Sequence, residues 1–485
     1  MRKNRTQVWN GVSDLQRPPF SQPFHRLAFW LVWTVAFFPS SLYAAEPSMA
    51  QTKMAGETET DNRAETAGVQ KISLEEAYRL ALSNEEQIKI AGAELAKAQL
   101  LPWRAIALQT TRAEIAGTYL RNKEELSFVR EGGPEEVGGT VSTIRPLDSW
   151  QGLFTATQPL FQPLFLPTWR LGKESAKQSL ENYGYTIREV LFGVARAYYD
   201  VLRSQEQVRV TEDTLRLSQD ELRQAQARFR VGEVTKTDVL RAEVEVARIQ
   251  RTLVTNQNTL LYSLTVLARV VGVNEPVGVI EPTPPVSLGE PYAQLLEKAY
   301  AQRQDLRAQV AAVEVARQRK NQVISRYFPQ ISTQWQFSRL NEPTFANPDR
   351  FWTMFLNFQI PLFDGGTREI DLQEQNENLA EARWQLDRLK KDIGVEVKQA
   401  FLTVQTLNVN LETLKKEVSL AQENYNITSK QYGVGLSTSL DLNTALNSLN
   451  LARTQLADRT YEYQVALLAL DKTIGLFADD YVPQR

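Results

Sequence analysis

The sequence repeats itself, and this repeat constrains the fold more than any other feature. Two long stretches match at a constant separation of 203 residues. The matched pairs include Gly232 with Gly435, Thr235 with Thr438, Asp238 with Asp441, and Gly272 with Gly475. Internal similarity of this length indicates two copies of one structural unit. We place the units at 71–272 and 291–475, with a Pro-rich linker at 273–290 and a tail at 476–485.

Each unit is predicted to contain a helix, two extended segments, a very long helix, a glycine turn and a second long helix. The first long helix is expected from about Thr168 to Arg230, and its apolar residues alternate by three and four. This seam comprises Ile187, Leu191, Val194, Tyr198, Val201, Gln205, Val208, Glu212, Leu215, Gln219, Leu222, Gln226 and Phe229. A helix of some 60 residues is roughly 90 Å long. Because Gln and Glu interrupt the seam, it suits a cylinder of helices, and a filamentous coiled coil is the alternative that the heptads alone leave open.

Four segments alternate with a period of two, namely 105–120, 150–158, 330–339 and 352–360. The last two have one mostly apolar and one mostly polar face, which is typical of a transmembrane β-strand. Trp150, Trp335 and Trp352 lie in these segments and are expected to contact lipid as an interfacial girdle. A small soluble sheet with an apolar core face is the alternative.

The flanks of these segments favour the membrane interpretation. Proline stands near each predicted junction between helix and strand, and polar loops at 121–149 and 341–350 separate the strands of each pair. Four strands cannot close a barrel, and an open sheet edge cannot lie in lipid. The strands therefore predict an oligomer, and three copies would supply twelve strands.

The first 45 residues have the composition of a signal peptide. Basic residues precede an apolar run at 27–38, and small residues follow near Ala44 and Ala45. An uncleaved membrane anchor is the alternative, although the run is shorter than the roughly 20 residues of a spanning helix. Residues 46–70 are polar and patternless, so we expect a flexible leader.

The composition excludes several classes of function. Cysteine is absent and the only histidine, His25, lies in the predicted signal peptide. A mature chain without Cys or His has no Ser-His-Asp triad and no conventional zinc site. The net charge of −2 shows no basic face for nucleic acid. We therefore expect a protein that is not an enzyme and has no cofactor and no metal site.

The tandem repeat, the two glycine turns and the motif Pro361-Leu362-Phe363-Asp364-Gly365-Gly366 together resemble the TolC-like outer-membrane factor family, the outer membrane efflux proteins. The resemblance covers 72–475. It implies an α+β membrane protein, a homotrimer with a 12-stranded outer-membrane β-barrel, four strands per protomer, continuous with a 12-helix periplasmic α-barrel of long coiled helices. It implies a passive exit channel of a tripartite efflux or type I secretion system. Its partners would be a periplasmic adaptor (membrane fusion) protein and an inner-membrane transporter.

The glycine turns are the candidate site. Gly232 and Gly435 suit tight backbone at a helix end, and Thr235 and Thr438 can cap the returning helices, with an aspartate in each first turn. By resemblance, these turns form a periplasmic gate in which Thr237, Asp238 and Tyr432 hold neighbouring hairpins together. Asp441 would point into the aperture, where three copies form an acidic ring. Ser437 stands where the family has a tethering arginine, and Thr444 where it has a second acidic ring.

Two rival interpretations have less support. A periplasmic coiled-coil adaptor or scaffold without a membrane barrel would need a Gly-rich lipoyl-like domain, which the sequence lacks. An enzyme built on paired carboxylates would need a pair that stands apart from the helix-surface charges, and none does. The substrate is not predicted, because drugs, metals and proteins all fit a passive tube.

Overall fold

The computed structural model describes residues 71–130, 140–283, 289–342 and 348–482. The predicted signal peptide and leader lie outside the described residues, as do parts of the predicted linker and tail. The helices are α1 (Leu74–Asn84), α2 (Glu86–Gln99), α3 (Leu101–Gln109), α4 (Phe165–Arg230), α5 (Lys236–Val271), α6 (Tyr292–Gln302), α7 (Gln304–Ser325), α8 (Thr367–Gly433) and α9 (Ser439–Thr473). The strands are β1 (Lys71–Ile72), β2 (Arg112–Arg121), β3 (Leu126–Arg130), β4 (Thr140–Arg145), β5 (Asp148–Phe161), β6 (Gly278–Val279), β7 (Gln330–Leu340) and β8 (Arg350–Gln359).

Two helices of unusual length dominate the protein. α4 has 66 residues and α8 has 67, so each is about 100 Å long at 1.5 Å per residue. Each turns back at a glycine into a shorter helix, α5 of 36 residues and α9 of 35. Within the described segments, no helix is both long enough and apolar enough to cross a membrane.

The helices lie side by side in one layer. Near the sheet α4 packs against α3 and α7, and α7 packs in turn against α8. Farther from the sheet α4 packs against α5 and α9, and α9 packs against α8. The order across the layer is therefore α3–α4–α7–α8 near the sheet and α5–α4–α9–α8 beyond it. α8 forms one outer edge throughout, whereas α3 and then α5 form the other.

The predicted seam of α4 is confirmed in the half nearer the sheet and wrong in the half nearer the glycine turn. Its first five positions, from Ile187 to Val201, are buried. From Ser204 onward the buried line shifts by about one residue and contains, besides Val210, the small or polar residues Ser204, Thr211, Thr214, Ser218, Glu221 and Ala225. Small and polar side chains occupy this line because α4 lies between α5 and α9. Thr211 and Thr214 bond to Asn256 and Asn450 on those neighbours, at 2.8 and 3.0 Å.

The four-stranded antiparallel sheet has the order β2-β5-β7-β8. Its register carries apolar residues across all four strands on one face. One such row is Ile115, Phe154, Phe337 and Trp352. The neighbouring row on the opposite face is Glu114, Thr155, Gln336 and Thr353. The sheet therefore has one apolar and one polar face, and β2 and β8 are its edge strands.

Two parts of the strand prediction need correction. Residues 105–109, predicted as strand, belong to α3, because Pro102 lies in the first turn of that helix, where its missing N–H costs nothing. The predicted loop at 121–149 contains the hairpin of β3 and β4, whose tip at 131–139 lies outside the described residues. The alternation of that hairpin is too short to distinguish it from a loop.

A small parallel pair, β1 with β6, joins the beginning of the described chain to the region after α5. Tyr198 of α4 fixes it, since its hydroxyl bonds to the Ile72 carbonyl at 3.0 Å and accepts from the Ile280 N–H at 2.9 Å. Ser73 and Glu76 form a capping box at the start of α1. Two-residue strands carry too little pattern to be predicted, so this pair does not follow from the sequence.

Candidate functional site

The ends of the two helical hairpins have the same backbone geometry. α4 ends in a Schellman motif, in which Glu233 N–H donates to Arg228 C=O at 2.9 Å and Gly232 N–H donates to Phe229 C=O at 3.0 Å. α8 ends with the matching bonds from Leu436 and Gly435, at 2.9 and 3.1 Å. Gly232 and Gly435 have φ of 79° and 80°. A side chain is strained in this left-handed region, which explains the predicted glycines.

Each returning helix begins with a capping box. The Thr235 side chain accepts from Asp238 N–H at 3.3 Å, and the Asp238 carboxylate accepts from Thr235 N–H at 3.1 Å. Thr438 and Asp441 repeat this arrangement at 3.2 and 3.0 Å. The predicted capping roles of both threonines and both aspartates are thus confirmed.

Hydrogen bonds hold the pKa of both aspartates below its ordinary value. For Asp238 the bond from Ser439 contributes most, followed by the bond from Thr235. For Asp441 the side-chain bond from Thr438 contributes most, with a smaller effect of Ser437. Both carboxylates are therefore charged at neutral pH.

Two contacts join the tips of the different hairpins. Ser439 Oγ, at the start of α9, donates to Asp238 Oδ1 at 2.5 Å. Arg228, near the end of α4, donates to the Tyr432 carbonyl and places its guanidinium 5.1 Å from the centre of the Tyr432 ring. Arg228 Nε also donates to Glu233 Oε2 at 2.9 Å. The two hairpins are thereby tied together at their ends.

Sequence reasoning missed Arg228. The resemblance located a tethering arginine at the position of Ser437, and Ser437 instead contacts Asp441 within its own turn at 3.4 Å. Arg228 lies four residues before Gly232, and a cation in the last turn of a helix is common because the carbonyl end of the dipole attracts it. Only the packing of the two hairpins shows that Arg228 reaches Tyr432.

The predicted gate residues occupy different environments. Tyr432 is buried at 4 % exposure, and its hydroxyl has no hydrogen-bond partner among the described residues. Burial raises the pKa of Tyr432. Asp238 is partly buried between the tips, whereas Thr237 and Asp441 are exposed. The structure brings Asp238 and Tyr432 to the contact between hairpins and leaves Thr237 and Asp441 on the protomer surface.

The predicted girdle residues lie on the apolar face of the sheet. Trp150, Trp335 and Trp352 are 59, 42 and 66 % exposed. Trp150 and Trp352 stand at the loop end of the sheet, and the Trp150 ring lies 4.9 Å from Tyr119. Trp335 lies in the middle of β7, opposite Met354. Two of the three tryptophans thus occupy an end position, where a girdle is expected.

A family model for outer membrane efflux proteins matches residues 131–273 and again residues 295–476. The chain belongs to the outer membrane efflux protein family. The protein is accordingly an efflux or secretion channel of the outer membrane that extends into the periplasm. No group of three acidic, Cys or His side chains in the described segments is arranged to hold a metal ion.

Relatives of this family resemble the chain over most of its length. The outer membrane protein TolC of Salmonella enteritidis is 24 % identical over 337 residues, which are 66 % of this chain and 69 % of TolC. The alkaline protease secretion protein AprF of Pseudomonas aeruginosa is 22 % identical over 407 residues, 81 % of this chain and 82 % of AprF.

Solved structures of two membrane channels share the fold. CusC superposes with a TM-score of 0.72 at 16 % identity, covering 86 % of this chain and 95 % of CusC. The CmeC outer membrane channel of Campylobacter jejuni superposes with a TM-score of 0.71 at 14 % identity, covering 89 % of this chain and 94 % of CmeC. The long helical hairpins and the sheet are therefore features of this fold.

Proposed function

We propose that three copies of this chain close into one passive exit duct, which an inner-membrane transporter and a periplasmic adaptor open at the helical tips. The proposal is carried by one observation: the sheet and the helical layer of the protomer both have open edges, and these lie on the same two sides. One side consists of β2, α3 and α5. The other side consists of β8 and α8. A layer with two complementary open edges closes by joining copies head to tail.

The sheet needs such closure because of its apolar face. Ile115, Met354 and Leu356 on this face are 81, 63 and 69 % exposed. Such a surface fits lipid, but the unpaired backbone groups of β2 and β8 do not. The sheet has an even number of strands, so β8 of one copy can pair antiparallel with β2 of the next. Three copies give twelve strands and a lumen, whereas two would give eight and an interior filled by side chains.

The outer helices carry matching apolar stripes. One set of exposed apolar residues on α8 and its C-cap recurs every seven positions with one step of eleven, at Val395, Leu402, Val409, Leu420, Ile427 and Val434. On α5 the exposed residues Leu240, Val254 and Leu261 are separated by fourteen and seven positions, which are multiples of seven. Seven-residue stripes pack against another helix. We assign α5 of the next copy as the partner of α8.

Near the sheet, α8 would meet α2 and α3 of the next copy. These elements run in opposite directions, so distances from the sheet can be matched. Lys97 lies about 18 Å from the end of α3, and Glu377 about 15 Å from the start of α8. Both side chains are exposed and of opposite charge. Trp103 and Ile370 form an apolar pair nearer the sheet, at 62 and 68 % exposure.

The tips are the proposed gate. In the closed state Asp238 and Tyr432 join the hairpins of one copy, with Thr237 exposed beside them and Gly232 and Gly435 shaping the turns. Asp441 of three copies would form the acidic ring at the aperture, which attracts cations. Val231, Val434 and Leu436 at the tips are 71, 72 and 81 % exposed. Apolar groups this exposed favour a protein partner, for which the adaptor is our proposal.

A passive duct has no residues that recognise a particular substrate, so its cargo is not restricted to one chemical class. The family is named for efflux, and AprF is named for secretion of a protease. A passive tube serves either class, and the partner transporter selects the cargo. The rival hypothesis of a periplasmic adaptor without membrane strands does not agree with membership of an outer-membrane family.

The proposal is tested with protein extracted from outer membranes. We expect a species of three subunits on unheated SDS gels and by light scattering in detergent. We also expect discrete conductance steps in planar lipid bilayers, because three copies enclose one pore. A water-soluble monomer, or a trimer without conductance under any condition, would overturn the proposal.

A further inference from the structure

A glutamate is buried inside the helical wall above the tips. Glu221 of α4 is 6 % exposed and lies nine residues before the end of the helix, about 13 Å from the tip turn. A buried carboxyl is rare unless it is paired with a cation. It occupies the shifted part of the α4 seam, where the first hairpin meets the second.

The partner of Glu221 belongs to the other hairpin. Its carboxyl lies close enough to the hydroxyl of Tyr425 on α8 for the two groups to shift each other's pKa. Its Oε1 is buried and has no partner among the described residues, and the buried Tyr432 hydroxyl nearby has none either. Tyr425 packs with Leu442 in an apolar cluster formed by α8 and α9. The contact therefore joins two hairpins through a poorly hydrated site.

The charged groups around this site do not neutralise a carboxylate. Glu245 faces it from α5 and is paired with Arg248 at 2.5 Å. Asp220 on α4 is paired with Arg223. Arg453 on α9 opposes the rise in the pKa of Tyr425 and donates a hydrogen bond to the side chain of Gln422. Desolvation, with a smaller contribution from the two acids, raises the pKa of Glu221 to about 7, while Tyr425 acts in the opposite direction.

We propose that Glu221 is a proton-operated latch: the dry contact where α4 meets Tyr425 of α8 tolerates a neutral carboxyl but not a charged one, so loss of the proton loosens the hairpins and favours the open gate. This inference rests on the proposed gating of the tips. Opening separates the hairpins and admits water, and a hydrated carboxyl ionises readily. The latch is a device of the helical wall, separate from the contacts at the tip turns.

The sign of the pH effect follows from proton linkage. In the closed state the pKa of Glu221 is about 7, whereas its ordinary value is 4.5. The contribution of Glu221 to the stability of the closed state is complete below pH 4.5 and is lost as the pH rises through 7. Between pH 4.5 and 7, each decrease of one pH unit shifts the equilibrium toward the closed state about tenfold per subunit.

The aspartates at the tips do not titrate in this window. Asp238 and Asp441 are charged throughout it, because hydrogen bonds hold the pKa of each below its ordinary value. The only histidine in the sequence is His25, in the predicted signal peptide. Asp471, near the far end of α9, has its pKa raised by burial to about 6 and serves as the control.

The test is the open probability of the reconstituted trimer in planar bilayers at pH 7.5 and 5.5. For the wild type we expect a fall of at least tenfold at the lower pH. Glu221→Gln, a neutral isostere, should give the low value at both pH values. Tyr425→Phe removes a group that lowers the pKa of Glu221, so the fall in open probability should move to higher pH. Asp471→Asn should keep the wild-type response.

The outcomes separate this inference from the proposed function. Unheated SDS gels first establish that each variant forms trimers. A wild-type response in Glu221→Gln, or a wild type that ignores pH, overturns the latch and leaves the channel intact. The absence of conductance in every protein overturns the channel, and the latch with it.

Discussion

Ser439 Oγ donates a hydrogen bond of 2.5 Å to Asp238 Oδ1, although the two residues begin helices of different hairpins. The other oxygen of Asp238, Oδ2, accepts from Thr235 in its own turn at 2.7 Å. Both oxygens of Asp238 are therefore engaged. In Asp441 the bonds within the described structure all go to Oδ2. Two aspartates at matching positions thus have different tasks, one joining hairpins and the other presenting an oxygen to the surroundings.

Ser439→Ala should raise the open probability of the channel. The substitution removes the bond between hairpins and leaves the capping box of Asp238 intact. A bond to a charged group at a partly exposed site contributes about 1.5 kcal/mol, so the closed state should lose about tenfold per subunit. Bilayer recordings measure the effect. Ser437→Ala, which removes a contact within one turn, is the matched control. Equal behaviour of the two variants would mean that the Ser439 bond does not restrain the gate.

Arg228→Lys should also favour opening. Lysine keeps the charge but loses the planar fork that reaches Glu233 and the Tyr432 carbonyl together. Arg228 is 18 % exposed, so little water replaces these bonds. We expect an increase of about tenfold in open probability, the effect of roughly 1.4 kcal/mol. Arg223→Lys is the control, since Arg223 pairs with Asp220 on its own helix. An unchanged open probability in Arg228→Lys would exclude Arg228 from the gate.

The long helices, the four main strands and the capped turns were predictable, because each rests on a local pattern. Seam positions such as Leu191 and Val194 recur at helical spacing, and Thr438 with Asp441 is a capping signal three residues apart. The roles of Arg228 and Glu221 do not follow from the sequence, because they depend on contacts between residues that are far apart in the chain. Arg228 looks like any cation near a helix end until α8 brings Tyr432 beside it. Glu221 looks like a surface acid until the seam shifts and buries it.

A cysteine pair should join neighbouring copies covalently. The chain has no cysteine, so Lys97→Cys with Glu377→Cys introduces the only two. In the proposed trimer these positions lie at about the same distance from the sheet, on facing edges. Mild oxidation should therefore give linked dimers and trimers on denaturing gels, which a reductant abolishes. Each single variant is the control and should remain monomeric on such gels. Failure of the double variant to cross-link would contradict the packing of α8 against α2 and α3.

Asp441→Asn should remove block by multivalent cations. Three copies of Asp441 present free carboxylate oxygens at the proposed aperture, so lanthanum ions added on the tip side should reduce the conductance of the wild type. Because hydrogen bonds hold the pKa of Asp441 below its ordinary value of 3.8, block at pH 5 should equal block at pH 8 and disappear only below 3.8. Asp441→Asn should need at least tenfold more lanthanum, whereas Ser437→Ala should resemble the wild type. Block of equal strength in Asp441→Asn would assign the cation site to other residues.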